Sequence, residues 1–287
     1  MIWKFRDREF DLSERGLIVG IVNATPDSFS DGGKFLDPES AVAHGIRLLA
    51  EGADLLDIGG ESTRPGAAPV SEEEELRRVI PAITSLRRAT EAPISIDTSK
   101  ASVAEAALAA GADIINDVTA LAGDSRMGAL AGKSKAGVML MHMQGTPATM
   151  QRAPAYPEDD VVGSVAKYLS ERREAALGFG VDAAAIILDP GLGFGKTVAH
   201  NLALIRELPL LCALGSPVLI GHSRKSFLGA ISHNGHGEGA EDRLSPGIAI
   251  TALARQLGAR LFRVHEAAPH RAALRATEAL ITPETTR

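Results

Sequence analysis

The chain has 287 residues, of which 45% are hydrophobic and 23% are charged, and its single cysteine excludes an internal disulfide. This composition is typical of a globular protein whose core needs no disulfide or metal to be stable. The net charge of −6, without a basic stripe, lacks the usual pattern of nucleic-acid binders. No apolar run reaches the roughly 20 residues that span a bilayer, so we expect a cytoplasmic protein without membrane contact.

Short apolar runs alternate with longer amphipathic stretches along the whole chain. Each run has the length of a strand and is rich in Ile, Val and Leu, as strands buried on both faces of a parallel sheet are. In chain order the predicted strands cover residues 17–22, 55–58, 94–96, 114–115, 138–141, 186–188, 218–220 and 261–264.

The intervening stretches predict helices, several of which have clear start and stop signals. Pro38 precedes a helix over 41–50 that stops before Gly52, and Ser71 starts a capping-box pattern ahead of a helix over 76–86. The other predicted helices cover 101–110, 124–131 (the weakest pattern), 159–176, 201–211, 245–257 and 267–280, and residues 144–158 are predicted to form an extended loop.

Strand–helix alternation of this kind predicts an α/β fold in which helices cover a parallel sheet. Eight repeats in a chain near the usual ~250 residues favour a single closed (βα)8 TIM barrel. An open doubly wound sheet remains the alternative. The sequence shows no linker, low-complexity tract or shift in composition, so residues 1–287 are predicted to form a single domain.

Polar residues follow the apolar run at all eight predicted strand ends. Reactive groups in such barrels lie at the carboxyl ends of the strands. At one position a helix cap or loop hydrogen bond explains a polar residue equally well, but eight positions together favour a binding site. Acids and amides suit a nitrogen-rich heterocycle, whereas cations suit a phosphate or carboxylate. The strand ends hold Asn23, Asp57, Arg64, Asp97, Asn116, Asp117, His142, Asp189, Lys225, Arg263 and His265.

Two familiar site patterns do not fit the sequence. Residues 191–197 (GLGFGKT) resemble a phosphate-binding loop, but Pro190 occupies the position where that motif needs its first glycine. The histidines fall on different predicted loops, at spacings unlike those of a zinc site. We therefore expect the glycines of 191–195 to let the backbone approach a flat ligand closely.

Seven segments, in order, resemble the signature motifs of dihydropteroate synthases, which are pterin-binding barrel enzymes. They lie within residues 17–265 and so cover nearly the whole chain. Two positions depart from the family pattern: Ala24, which we expect to be harmless, and His222, which either faces solvent or alters pterin affinity. The motifs are residues 23–33 (NATPDSFSDGG), 59–66 (GGESTRPG), 95–98 (SIDT), 115–117 (IND), 189–196 (DPGLGFGK), 223–226 (SRKS) and 263–265 (RVH).

The resemblance implies a reaction of folate biosynthesis that joins p-aminobenzoate to 6-hydroxymethyl-7,8-dihydropterin diphosphate, giving 7,8-dihydropteroate and diphosphate. It further implies early breakage of the carbon–oxygen bond, which leaves a cation delocalised into the pterin ring. The expected catalytic residues are Arg64, Asp97, Lys225 and Arg263. The residues expected to bind the pterin are Asp97, Asn116, Met141, Asp189, Phe194, Gly221, Lys225 and Arg263.

The anionic leaving group implies a site with cations and a metal ion. Asn23 resembles the family's Mg²⁺ ligand, and a single amide is sufficient because Mg²⁺ usually keeps several waters. Together with Asn23, the resemblance assigns Arg64, Arg263 and His265 to the diphosphate. Arg263 and His265 are two residues apart, which puts both side chains on one face of a strand.

The resemblance places p-aminobenzoate between two long loops. Phe29 lies on the first loop, and Thr63, Arg64 and Pro65 lie on the second. Ser226 is expected to bind the benzoate carboxylate. We expect both loops to close over the substrates and to exclude water from the cation.

Two alternatives to this function remain open. One is a pterin-binding methyltetrahydrofolate methyltransferase, whose similar barrel lacks the first-loop and SRKS motifs. The other is a catalytically silent paralogue that only binds pterins or a partner. The resemblance also implies a homodimer formed through outer helices.

Overall fold

The computed structural model describes residues 1–24, 38–63, 66–232, 239 and 243–281. The chain begins with an antiparallel hairpin of β1 (Ile2–Phe5) and β2 (Arg8–Asp11). The sequence pattern did not predict this hairpin, because each strand has only four residues and the charges of Lys4, Arg8, Glu9 and Asp11 interrupt the apolar residues.

Eight further strands, all parallel in the described part of the chain, form one sheet. Their order is β8-β7-β6-β5-β4-β3-β10-β9, and a parallel bridge between Leu188 and Val218 joins the two ends of the sheet into a barrel. This confirms the predicted TIM barrel. The strands are β3 (Leu17–Asn23), β4 (Leu55–Gly59), β5 (Ile94–Asp97), β6 (Ile114–Asp117), β7 (Gly137–Met141), β8 (Ile186–Asp189), β9 (Leu219–Ile220) and β10 (Leu261–Val264).

The barrel strands explain why the sequence shows continuous apolar runs. Their side chains are buried throughout, except for the partly buried Asn23 and Arg263. Strands covered on both faces have no solvent-facing side, so they need no polar alternation. The two exceptions stand at or near carboxyl ends, where the functional side chains are expected.

The helices pack outside the barrel. Ser71 caps α2 as predicted, since its side chain accepts a hydrogen bond from the Glu74 N–H at 3.2 Å. The predicted helix over 201–211 is in fact two helices, because Pro209 has no N–H to continue the first. The helices are α1 (Pro38–Ala50), α2 (Glu72–Ala89), α3 (Ala101–Ala109), α4 (Met127–Ser134), α5 (Val161–Gly178), α6 (Val198–Arg206), α7 (Leu208–Cys212), α8 (Ser226–Ser232), α9 (Leu244–Gln256) and α10 (Ala267–Ile281).

The N-terminal hairpin covers the amino ends of the barrel strands. The indole N–H of Trp3 donates to the carbonyl of Ala185, just before β8, at 3.1 Å. Its ring lies 4.6 Å from that of Phe5 and 5.7 Å from that of Phe10. These aromatic rings form a floor under the barrel, so ligand access falls to the carboxyl end. None of the helices in the described ranges is long and apolar enough to cross a membrane.

Candidate active site

Strand register brings several predicted residues to one level at the carboxyl end of the barrel. Asn23 pairs with Gly59, Gly59 with Asp97, and Asp97 with Asn116 across neighbouring strands. On the far side, the terminal residue of β8, Asp189, pairs with the last residue of β7. The side chains that the sequence analysis grouped by motif are therefore brought together by the parallel sheet itself.

Arg263 is the centre of a hydrogen-bond network at the carboxyl end of the barrel, which is called the mouth below. Its Nε donates to Oδ2 of Asp57 at 2.6 Å, and one terminal nitrogen donates to Oδ2 of Asp97 at 2.7 Å. The amide of Asn116 donates to the same Asp57 oxygen at 3.1 Å. The network joins strands β4, β5, β6 and β10 and fixes the plane of the guanidinium group.

Asp57 is a site residue that the sequence analysis placed at a strand end without giving it a role. It is fully buried and holds both Arg263 and Asn116 through one oxygen. Its other oxygen, Oδ1, has no hydrogen-bond partner in the described residues. A buried carboxylate oxygen without a partner is uncommon, and at the carboxyl end of a barrel a bound ligand would satisfy it. An acid inside an otherwise apolar strand was the signal that could have identified it.

The network has unusual electrostatics because it is buried. Burial raises the pKa of Asp97 above its ordinary value; the Arg263 cation opposes this rise and the Asp57 carboxylate adds to it. Burial lowers the pKa of Arg263, but the carboxylates of Asp57 and Asp97 outweigh that effect and raise it overall. Arg263 is therefore a permanent cation held between two acids.

Asp189 lies across the mouth from this network. Its Oδ1 accepts the N–H of Gly191 at 2.7 Å. Burial raises the pKa of Asp189 to about 6, and the Gly191 N–H and the cations of Lys225 and Arg263 oppose the rise. Gly221 faces the space between Asp189 and Arg263, where it leaves room for a ligand.

Apolar side chains form one wall of the mouth. Met141 and Phe194, both predicted, form a small buried cluster with Met150, which the sequence analysis did not single out. The Nζ atom of Lys225 lies 3.9 Å from the centre of the Phe194 ring. This cation–π contact orients the ammonium group toward the space above the wall.

His265 and Ser223 are joined at the end of β10. The Ser223 hydroxyl lies 3.0 Å from Nδ1 of His265 and accepts the backbone N–H of the same residue at 3.2 Å. The hydroxyl fits as a donor to Nδ1, which would place the ring hydrogen on Nε2. This pairing holds His265 beside Arg263, as the diphosphate assignment requires.

The expectation that His222 faces solvent is wrong. Its side chain is fully buried, and Nε2 lies 2.9 Å from both the carbonyl of Gly247 and the hydroxyl of Thr251. These contacts place the His222 side chain against the outer helix α9, whereas Gly221 beside it faces Asp189 and Arg263. Burial lowers the pKa of His222 to about 3, so the ring is neutral and structural.

The two substrate loops lie only partly within the described residues. Phe29, Arg64 and Pro65 lie outside them, whereas Thr63 is half-buried and Ser226 is exposed at the first residue of α8. No motif in the sequence indicated the group that holds the base of the second loop.

This group is centred on Lys100. Its Nζ binds Oε2 of Glu61 and Oε2 of the fully buried Glu75, each at 2.5 Å. Glu61 in turn accepts the N–H of Val70 at 3.1 Å. The bridge fixes both ends of the segment that carries Thr63.

The donor set fits a magnesium ion bound largely through substrate oxygens. No group of three or more His, Cys, Asp or Glu within the described ranges could hold a metal ion. Asn23 is partly buried at the mouth, one strand away from Asp57 and its unpartnered oxygen. Mg²⁺ takes one or two protein oxygens and completes its shell with waters and phosphate. Asn23 suits that ion better than an ion that needs a complete protein cage.

Comparison with known proteins agrees with this geometry. The family described as "Pterin binding enzyme" matches residues 19–265. A dihydropteroate synthase of Neisseria meningitidis serogroup C is 46% identical in an alignment of 288 positions that covers 97% of each chain.

Two solved structures give the same assignment. Xanthomonas albilineans dihydropteroate synthase with 4-aminobenzoic acid superposes with a TM-score of 0.89 at 48% identity, covering 97% of each chain. The enzyme from the same organism with 7,8-dihydropteroate superposes with a TM-score of 0.86 at 45% identity, covering 98% of each chain. The chain therefore belongs to the dihydropteroate synthases, the pterin-binding transferases that form the C–N bond of dihydropteroate.

Proposed function

We propose that the mouth of this barrel performs the dihydropteroate synthase reaction with its own residues in three roles: holding the pterin, accepting the charge of the leaving diphosphate and orienting the amine. The observation that carries the proposal is the convergence of Asp57, Asp97 and Asn116 on Arg263, with Asp189 on the other side. Acids, an amide and cations around one buried point suit a ligand with a nitrogen-rich ring and an anionic tail.

The pterin ring is held by its polar edge. Asp189 accepts the hydrogens of the 2-amino group and the neighbouring ring nitrogen as a bidentate pair. Asn116 donates and accepts along the same ring, and Lys225 donates to its acceptor atoms. Met141 and Phe194 cover the ring face. The hydrogen bonds of Asn116 and Asp189 and the contact of Lys225 with the Phe194 ring support this assignment, because a preorganised site loses little entropy when it binds a ligand.

Asp97 and Arg263 act when the carbon–oxygen bond breaks. The departing diphosphate takes both electrons of that bond, and positive charge spreads into the pterin ring. The buried Asp97 carboxylate stabilises that charge, and its effect is strong because little water screens it. Arg263 stacks on the ring and binds the leaving oxygens beside Asn23 and His265.

Mg²⁺ is part of the proposal, with Asn23 as its protein ligand. When bound, the ion neutralises charge on the diphosphate and so makes it a better leaving group. Arg263, His265 and Arg64 contribute further positive charge around the phosphate oxygens.

The p-aminobenzoate is held between the two long loops. Thr63, Arg64, Pro65 and Phe29 surround the ring, and Ser226 binds its carboxylate. The neutral aromatic amine attacks the methylene carbon without a general base, and its excess proton leaves to diphosphate or water. Closure of the loops keeps water from attacking the cation first. The Lys100 bridge supports this assignment because it anchors the second loop at its base.

The working unit in this proposal is a single-domain barrel over residues 1–287 that forms a homodimer in the cytoplasm. Exposed apolar side chains on outer helices, including Leu210, Ile231 and Leu253, support a dimer. The lone free thiol of Cys212 suits a reducing compartment. Sedimentation analysis tests the dimer directly; a monomer at micromolar concentration would contradict it.

The decisive experiment is an assay of the purified protein with both substrates. Diphosphate release is expected only when p-aminobenzoate and Mg²⁺ are present, together with an equal amount of dihydropteroate. Diphosphate release without dihydropteroate, or pterin binding without any turnover, would reject the proposal. Arg64→Ala is expected to lower turnover more than pterin affinity, because Asp189, Asn116 and Lys225 hold the pterin ring without Arg64, whereas the second loop is needed to close over both substrates.

A further inference from the structure

Lys196 is a buried amine that the proposed reaction does not use. It lies after the loop that follows β8, and only 3% of its surface is exposed. Its Nζ atom donates to the carbonyl of Phe194 at 2.9 Å and to Nδ1 of His142 at 3.0 Å, with the His142 carbonyl at 3.4 Å. Three acceptors around one nitrogen match the three hydrogens of an ammonium group.

These acceptors belong to two different loops that touch closely. The N–H of His142 donates to the carbonyl of Asp189 at 3.0 Å. Gly191 adopts a left-handed conformation with φ of 66°, and a side chain there would collide with the carbonyl of His142. Lys196 therefore joins the end of β7 to the loop after β8 at the point where their backbones meet.

The same two loops carry the pterin wall. Met141 and Phe194 belong to one buried cluster, and Lys225 lies above the Phe194 ring. Because Lys196 holds the backbone carbonyl of Phe194, its loss would release the ring and the ammonium group above it. A displacement of about 1 Å in such a site lowers the rate by up to roughly 100-fold.

The charge of Lys196 also acts on Asp189. Burial lowers the pKa of Lys196 to about 7; the Asp189 carboxylate opposes this, and the Lys225 cation adds to it. Conversely, Lys196 is one of the groups that oppose the burial-driven rise in the pKa of Asp189. Burial and Lys196 lower the pKa of His142 to about 3, so that ring is a neutral acceptor.

We propose that Lys196 is a positioning residue for pterin binding: its ammonium group joins the two loops and keeps Asp189 in the form that accepts the ring's hydrogen bonds. The inference rests on the proposed roles of Asp189 and Phe194. Two consequences separate it from a purely structural lysine. Pterin affinity must depend on the charge of Lys196, and pterin binding must in turn favour the charged form.

The first test compares Lys196→Met with Lys167→Met, which removes an exposed lysine from α5. Calorimetry from pH 6 to 9 measures affinity for the pterin diphosphate. At pH 6.5 we expect Lys196→Met to bind roughly 10- to 100-fold more weakly than the wild type. Wild-type affinity should decline above pH 7, whereas Lys196→Met should lack this decline. Lys167→Met should match the wild type.

A second test needs no variant to fold. Lysine labelled at the side-chain carbon and nitrogen lets nuclear magnetic resonance follow the titration of Lys196 in the wild type, with and without pterin diphosphate. Bound pterin is expected to raise the pKa of Lys196 by one unit or more. An unchanged titration would overturn the proposal, as would a Lys196→Met variant that loses thermal stability but keeps the wild-type affinity and pH profile.

The wild-type measurements keep this proposal separate from the proposed function. Wild-type protein that binds pterin but makes no dihydropteroate would reject the function and leave the role of Lys196 testable by affinity. Wild-type protein that turns over normally, with no effect of Lys196→Met on affinity, would reject only the role of Lys196.

Discussion

The two ends of the barrel use the same residue types for opposite purposes. At the amino end, Asp113 accepts from Arg87 at 2.8 Å and from the Ile94 N–H at 3.0 Å through one oxygen. Its other oxygen, Oδ1, lies 3.6 Å from a terminal guanidinium nitrogen of Arg6 and 3.6 Å from Nε of Arg8. At the carboxyl end, Asp57 holds Arg263 and Asn116 with one oxygen, and the other has no partner in the described residues.

The difference shows how to distinguish a structural acid from a functional one. Asp113 has protein partners at both oxygens, so it stabilises the fold. Burial raises the pKa of the Asp97 and Asp189 carboxyl groups, so ionising either group lowers the stability of the folded protein. Buried carboxyl groups with raised pKa values are typical of sites where a bound ligand compensates for the cost of ionising them.

The aromatic floor should contribute to stability alone. Trp3→Ala removes a fully buried indole and its bond to Ala185, so the free energy of unfolding should fall by about 3–5 kcal/mol. Chemical denaturation measures this change. The kcat/KM of the remaining folded enzyme should equal that of the wild type, and Trp3→Phe should lose less stability. A large loss of kcat/KM in folded Trp3→Ala would contradict the separation of the two ends.

The carboxyl end should show the reverse pattern. Asp189→Asn keeps the shape of the side chain but replaces one acceptor with a donor that opposes the hydrogens of the pterin. Loss of charged hydrogen bonds should weaken pterin binding by roughly 100-fold or more in calorimetry. The matched variant Asp113→Asn, at the amino end, should bind as the wild type does. Equal losses in both variants would mean that the effect comes through folding.

Sequence alone predicted the barrel and most of its mouth, and the reasons are local. Runs such as 138–141 are apolar because both faces are covered, and the rule that functional residues lie at the carboxyl ends of barrel strands then selects Asp97, Asn116 and Asp189. The role of Asp57 was not predictable in this way. It depends on pairing with Arg263, 206 residues further along the chain, which only the closed barrel brings into contact.

Two other features depend on tertiary packing. The two strands of the N-terminal hairpin have only four residues each and are interrupted by charges, and the hairpin's inner face is defined only by the barrel end that it covers. The burial of His222 required knowing that α9 packs behind β9, with Gly247 and Thr251 as partners. A departure from a family motif shows which residue differs, but it does not show whether the side chain of that residue faces the binding site or an outer helix.

The same Asp→Asn change should have opposite effects on stability at the two ends. Burial raises the pKa of Asp189 from 3.8 to about 6, so ionisation lowers stability as the pH rises through that window. Asp189→Asn removes this loss and should raise the free energy of unfolding by about 1–3 kcal/mol at pH 8, but little at pH 4. Asp113→Asn breaks satisfied ion pairs and should lower it by about 1–3 kcal/mol. A loss of stability in both variants would refute the contrast.

The decrease in pterin affinity at acidic pH is the smallest and most specific of the expected effects. The pterin binds the Asp189 carboxylate, whose pKa of about 6 in the free protein means that protonation competes with the ligand below that pH. The contribution of the Asp189 carboxylate should therefore change little between pH 7.5 and 7 and should lower the affinity by about ten-fold at pH 5. The decline above pH 7 that Lys196 causes is separate from this acid dependence. Asp97 steepens the fall, because burial raises its pKa as well. In Asp189→Asn the affinity is already low and its remaining acid dependence should be shallower, reporting Asp97 alone. A variant that retained the full wild-type slope would show that the proton is taken up elsewhere, and Asp189 would then resemble the satisfied acids of the amino end.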